Sequence, residues 1–206
     1  MATATVVVIA LFALRSARRV PHARRVVLEE VRRKLRGGQV ERSPGRGPQA
    51  RGQLGELEVT VDLFHDPQRG SESPMWRVMA VGPVRVDVPI EAHVGGWRGW
   101  IDPWMQMAKT LQVPGGVGPE FTLHSEQPLT LDHPVAVALR RQGPALGAGG
   151  LHVQHDFMRA EARFDPEPEK NAGLFGILQA MAEISNREPA RSLPKALRTG
   201  TTRPIG

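Results

Sequence analysis

The sequence predicts an α+β fold: an antiparallel sheet, or sheets, packed with two or three helices and preceded by an apolar N-terminal helix. Three observations lead there. Several short segments alternate apolar and polar residues with the period of two that a half-buried strand requires. Other segments repeat apolar residues at helical spacing. The chain opens on an uncharged run, Ala2 to Leu14 (ATATVVVIALFAL), followed by Arg15, Arg18, Arg19, Arg24 and Arg25.

The apolar run has two competing readings. A bilayer core takes about 20 apolar residues per helix, with about 17 as a lower limit, and Met1 to Leu14 supplies 14. A secretory signal would carry its positive charge ahead of the apolar run, whereas here it follows. Once inserted, such a segment would leave everything from Arg15 onward in the cytoplasm. A start placed too late would also leave a truncated span. The alternative is a buried β-strand over Thr3–Ile9, a stretch rich in β-branched residues. Charge order favours the anchor, so residues 1–17 are expected to be a membrane anchor.

Next comes a basic amphipathic helix, expected within residues 18–38. Its core, HARRVVLEEVRRKLR from His22 to Arg36, sets Val20, Val27, Val31 and Leu35 near one stripe, and Gly37-Gly38 is the expected stop. Its arginines could rest on anionic lipid headgroups, with Arg15, Arg18, Arg19, Arg24 and Arg25 as the contacts. A helix packed on the domain with its arginines in water is favoured, because a charge run is usually a solvated face. Residues 39–53 are aperiodic and rich in Gly and Pro, and are expected to be a linker.

An α+β domain is expected over 54–186. Leu57, Val59, Val61 and Leu63 alternate with polar residues; so do Trp76, Val78 and Ala80, and then Val84, Val86, Val88 and Ile90. Three consecutive strands with short connections predict an antiparallel meander. Asp102-Pro103 predicts a short helix over 102–111. A strand follows at 120–126, then a helix capped by Asp132 and ending near Gly143. A strand pair is expected at 150–155 and 157–164. The last helix, 171–186, has a stripe of Leu174, Ile177, Leu178, Met181 and Ile184. Residues 187–206 are basic and aperiodic, and are expected to be a disordered tail.

Charge is divided sharply along the chain. Residues 1–51 carry 12 Lys/Arg against 3 Asp/Glu, and residues 187–206 carry 5 against 1. The centre carries 10 against 17, so the net +6 hides an acidic domain between basic ends. Nucleic acid is therefore not the expected partner, since that role needs a basic face on the folded part. The chain has no cysteine, which excludes disulfides, thiolate metal sites and cysteine nucleophiles.

The order of elements in the C-terminal half carries a resemblance. A strand with Phe121, Leu123, Ser125 and Glu126 precedes a short capped helix ending in Ala138 to Arg141. A strand with Gly150, Leu151 and Val153, a strand from Arg159 to Phe164, and an amphipathic helix complete it. This order resembles uncharacterised bacterial domains that sit behind N-terminal membrane anchors. The resemblance covers roughly residues 52–186 and implies an anchored domain with no assigned catalytic residues. The chain departs from it in having one short apolar segment where those families carry a longer span, often two.

The chemistry-bearing residues form no motif. His152 and His155 are three apart, so on a strand they face opposite sides and cannot share an ion. His124, Glu126 and one of His152 or His155 could meet across neighbouring strands; a deep pocket between them would point to an enzyme. Ser125 beside His124 lies in an alternating strand rather than a strained elbow. The glycine-rich stretches lack a phosphate-binding pattern. Three of the four tryptophans fall in GGWRGWIDPW, residues 95–104, where Trp97, Arg98, Trp100 and Trp104 either cover the end of the core or form a partner or headgroup patch. No catalytic residue, cofactor, metal or small-molecule ligand is expected. The leading expectation is a non-enzymatic, membrane-tethered cytoplasmic domain for binding or assembly. The alternatives are a soluble subunit of a larger assembly with its apolar N-terminus buried against a partner, and an unrecognised enzyme.

Overall fold

The computed structural model describes residues 19–43, 47–65, 74–84, 86–94, 109–113, 120–146 and 149–186. The expected anchor at 1–17, the tryptophans of 95–104 and the tail from 187 lie outside the described residues. So do Arg15 and Arg18.

A helix, α1, runs over residues 19–34. Among the described residues nine strands follow: β1 (Arg36–Ser43), β2 (Gly47–Leu54), β3 (Leu57–Phe64), β4 (Met75–Val81), β5 (Ile90–Val94), β6 (Lys109–Val113), β7 (Phe121–Ser125), β8 (Gly149–Gln154) and β9 (Phe157–Arg163). Helix α2 (Pro134–Leu146) lies between β7 and β8, and α3 (Ala172–Asn186) closes the described chain. The strands form one sheet in the order β1-β2-β3-β4-β9-β8-β5-β7-β6, and every pairing is antiparallel. The α+β class with a large antiparallel sheet is thus observed. Among the described residues no helix is long and apolar enough to cross a membrane.

Side chains opposite each other in an antiparallel pair share a face, so the register sorts the sheet into two sides. One side carries Val59, Val61, Trp76, Val78, Ala80, Met158, Ala160, Leu151, Val153, Ile90, Ala92 and Leu123, all buried. The helices cover this side. Helix α3 packs on β9 and β4, and α2 packs on α3 and β6. The α3 stripe read from periodicity (Leu174, Ile177, Leu178, Met181 and Ile184) is buried throughout. Helix α1 adds Ala23, Val27, Leu28 and Val31, each with no exposed surface. Its C-terminal end comes so close to β2 that a Cβ on Gly52 would stand 2.8 Å from the Leu35 Cβ. Gly37, at φ 64, makes a left-handed step at the start of β1, where the register to β2 shifts between Arg36 and Gln39.

Four local expectations are corrected. Residues 39–53 are not a linker but most of the β1–β2 hairpin: the run lacks apolar periodicity because β1 is an edge strand, held by backbone bonds to β2. The basic helix ends at 34, before Arg36 enters β1. The third strand of the expected meander starts only at Ile90 and does not pair with β4, because the C-terminal β8–β9 hairpin is inserted between β4 and β5. Val84 and Val86 are buried outside any strand. Of the helix expected over 102–111, residues 102–108 lie outside the described residues, and Lys109 to Leu111 belong to β6.

Candidate functional site

The side of the sheet away from the helices is polar, and its centre is buried. Glu91 on β5 is flanked across the strands by His152 on β8 and His124 on β7. His93, two residues along β5, shares its face. Next in line, β9 contributes Arg159, opposite His152, and Glu161, opposite Gly150. Beyond it, Arg77 on β4 stands opposite Glu161 and Asp62 on β3 stands opposite Arg77. Glu91 is 1% exposed, Asp62 4%, Glu161 6% and His152 7%, values that isolated charges would not tolerate.

Pairing resolves the cost of burial. Arg77 grips both oxygens of Asp62, at 3.0 and 2.6 Å, and lies over the Phe64 ring. Arg159 donates to Glu161 at 2.8 Å. His152 Nδ1 lies 2.9 Å from Glu91 Oε1, and His93 Nε2 lies 3.3 Å from Glu91 Oε2, close but outside hydrogen-bond geometry. Burial pushes the Glu91 carboxyl up, yet the bond to His152 and the contact with His93 outweigh it and hold the carboxyl at about 2. Glu91 is therefore an acceptor at neutral pH, and His152 donates its Nδ1 proton to it.

His124 completes the cluster. Its ring stands edge-on to that of His93, with centroids 5.6 Å apart. Its Nδ1 is buried without a hydrogen-bond partner. Burial lowers its pKa, the nearby His93 charge lowers it further, and Glu91 opposes both. Gly150 leaves a gap in the row between Glu161 and His93, and a cavity of about 20 Å³ opens there beside Glu91, His152 and Arg159. That is room for a water molecule.

Of the residues singled out from the sequence, His124 and His152 are brought together, from opposite sides of one carboxylate. Glu126 is exposed beyond the end of β7, and His155 is exposed in the β8–β9 turn beside Asp156. The bridging residues, Glu91 and His93, were missed. Alternation continues through IEAHV, with Ile90, Ala92 and Val94 on one face and Glu91 and His93 on the other, and following it past Ile90 would have found them. Among the described residues no group of three His, Asp or Glu converges to hold a metal ion.

The basic residues of α1 divide. Arg19 and Arg25 are exposed. Arg24 is turned inward, with Nη2 donating to the Pro48 carbonyl at 2.8 Å. That bond ties α1 to β2 and removes Arg24 from the set facing solvent. Trp76, the tryptophan outside the 95–104 cluster, is a core residue: its Nε1 donates to Asn171 Oδ1 at 2.7 Å, and its ring meets Phe164 edge-on.

The chain matches no family model, no curated protein and no solved structure.

Proposed function

We propose that this chain is a binding or assembly domain tethered to the inner membrane by its first residues, with the domain facing the cytoplasm. The observation that carries the reading is the uncharged run Ala2–Leu14 followed at once by arginines. That charge order keeps the following domain on the cytoplasmic side of an inserted segment. The outer surface of α1 supports it. Arg19, Arg25, Arg33 and Lys34 are exposed there, and Val26, 39% exposed, stands among them. Such a surface suits an anionic headgroup layer. Arg15, Arg18 and the tryptophan-rich residues Trp97, Arg98, Trp100 and Trp104 belong to the same proposal as further headgroup or partner contacts. So does the resemblance of the element order to bacterial domains carried behind membrane anchors.

A binding role is favoured over catalysis by the size of the polar cavity. Its buried carboxylates are already occupied by arginine and histidine, and the space at Gly150 takes a water rather than a substrate. Fractionation of cells making the full-length chain tests the tether. It should stay with the membrane pellet through a high-salt wash and leave it only in detergent; recovery in the soluble fraction without detergent would defeat the proposal.

A further inference from the structure

We infer that the imidazoles around Glu91 form a proton-operated latch on the β5–β7–β6 side of the sheet: with His124 neutral these strands stay paired, and a proton on His124 loosens them. The inference rests on the cluster alone and does not depend on the membrane reading.

The geometry sets one carboxylate among three imidazoles. Glu91 Oε1 accepts a hydrogen bond from His152 Nδ1 at 2.9 Å, and Oε2 lies 3.3 Å from His93 Nε2. His124 is the remaining imidazole. It is the cross-strand neighbour of Glu91 on one side and of Thr110 on the other. Among the described residues the charges facing it from the packed strands are few; Glu126, two residues along from His124, is exposed beyond the end of β7. On β5 they are Glu91 and His93. On β8 there is His152, with Gly150 contributing no side chain. On β9 Arg159 and Glu161 engage each other at 2.8 Å. Farther along the row, Arg77 and Asp62 on β4 and β3 do the same. On β6 the residues of this face are Thr110 and Gln112, both uncharged, and Gln112 accepts from Thr122 of β7 at 3.0 Å.

Among the described residues, a proton on His124 therefore finds no carboxylate of its own. It meets His93 at 5.6 Å between ring centroids and competes for a Glu91 that His152 and His93 already hold. A buried polar atom without a partner is rare in a settled protein and calls for a reason; here the bare Nδ1 of His124 is the acceptor that takes the proton. The water-sized gap at Gly150 brings solvent to the cluster. The buried charge of a protonated His124 then acts on β7, whose partner on the far side is β6. That strand has five residues at the edge of the sheet, four of them partly or fully exposed, and such a strand is the one that opens first.

The test is NMR titration of the histidine ring protons of the full-length chain in detergent, run beside amide hydrogen exchange over residues 109–125 from pH 8 to pH 5. His124 should titrate below the ordinary imidazole value of 6.5. Protection of β6 and β7, corrected for intrinsic exchange, should fall by up to about tenfold per pH unit as it does so, the steepest dependence one proton can impose. His124→Phe should keep the fold and abolish that dependence while β1–β4 exchange as before. If His124→Phe unfolds, His124→Gln serves, since it too cannot titrate. A His124 that protonates with no change in β6–β7 protection would overturn the latch. So would a pH dependence that survives both variants, or one equivalent of zinc shifting the His93, His124 and His152 signals together, which would make the cluster a metal site.

Discussion

Asn171 is a single side chain on which several elements depend. Its Oδ1 accepts from the Trp76 indole and from the Asp165 backbone, and its Nδ2 donates to the carbonyls of Asp165, Glu167 and Pro168. It thereby fixes the turn between β9 and α3 and the buried Trp76 ring at once. A buried donor left unsatisfied costs about 1–3 kcal/mol, so Asn171→Ala should lower stability by about 3 kcal/mol in urea unfolding. A loss under about 1 kcal/mol would mean that water replaces it freely. Glu91 makes a different prediction at this scale. Its folded carboxyl sits at about 2 against an ordinary 4.5. The stability it contributes is therefore fully present above 4.5 and is lost as pH falls toward 2. Glu91→Gln should flatten that acid limb in melting curves taken across the window. An unchanged limb would mean that other carboxylates govern acid unfolding.

At the scale of the element, α2 shows how a local rule can select the right helix and the wrong cap. Asp132 has the expected chemistry, but the first helical bond runs from the Val137 N–H to the His133 carbonyl, and the His133 Nδ1 accepts from the Val135 N–H at 3.3 Å. His133 is therefore the capping residue, followed by Pro134 at the first helical position. Only a neutral imidazole can accept at Nδ1. Burial lowers its pKa, opposed by Asp87, so the cap contributes above the ordinary imidazole value and is lost as pH falls through the lower folded one. His133→Ala should cost about 1 kcal/mol at pH 7, whereas His133→Asn should keep the cap and remove its pH dependence. Equal losses from both, read in thermal unfolding, would deny the cap. The elements legible in the sequence were those with one polar and one apolar face: β3, β4, β7, β8, β9 and α3 all follow their periodicity. Edge strand β1 has neither face deeply buried, and β2 buries only Gln49 and Ala50 within GPQARGQL, so composition there pointed to a linker. Gly149 reads as part of a loop, yet a Cβ at that position would collide with the Glu161 carbonyl of the neighbouring strand; the glycine serves β8–β9 contact instead.

Over the whole molecule, pairing order was the part the sequence could not reveal. Adjacent strands pair by default, but β4 meets β9 and β5 meets β8, partners more than 50 residues away. That insertion also builds the candidate site, because it brings His152, Arg159 and Glu161 beside Glu91 and His93. A reader of the chain sees three histidines scattered over 60 residues; the sheet order makes them neighbours. The same view separates location from recognition. Arg19, Arg25 and Arg33 are exposed on α1, a helix on the apolar side of the sheet, while the buried charged cluster lies on the sheet's opposite face. In the proposed arrangement the first directs the domain to a membrane and the second sits away from it. Protease accessibility in oriented membrane vesicles tests this account most directly. The domain should be digested in inverted vesicles, where the cytoplasmic face is outside, and protected in right-side-out ones until detergent is added. Digestion in right-side-out vesicles, or a full-length chain that never enters the vesicle fraction, would contradict it.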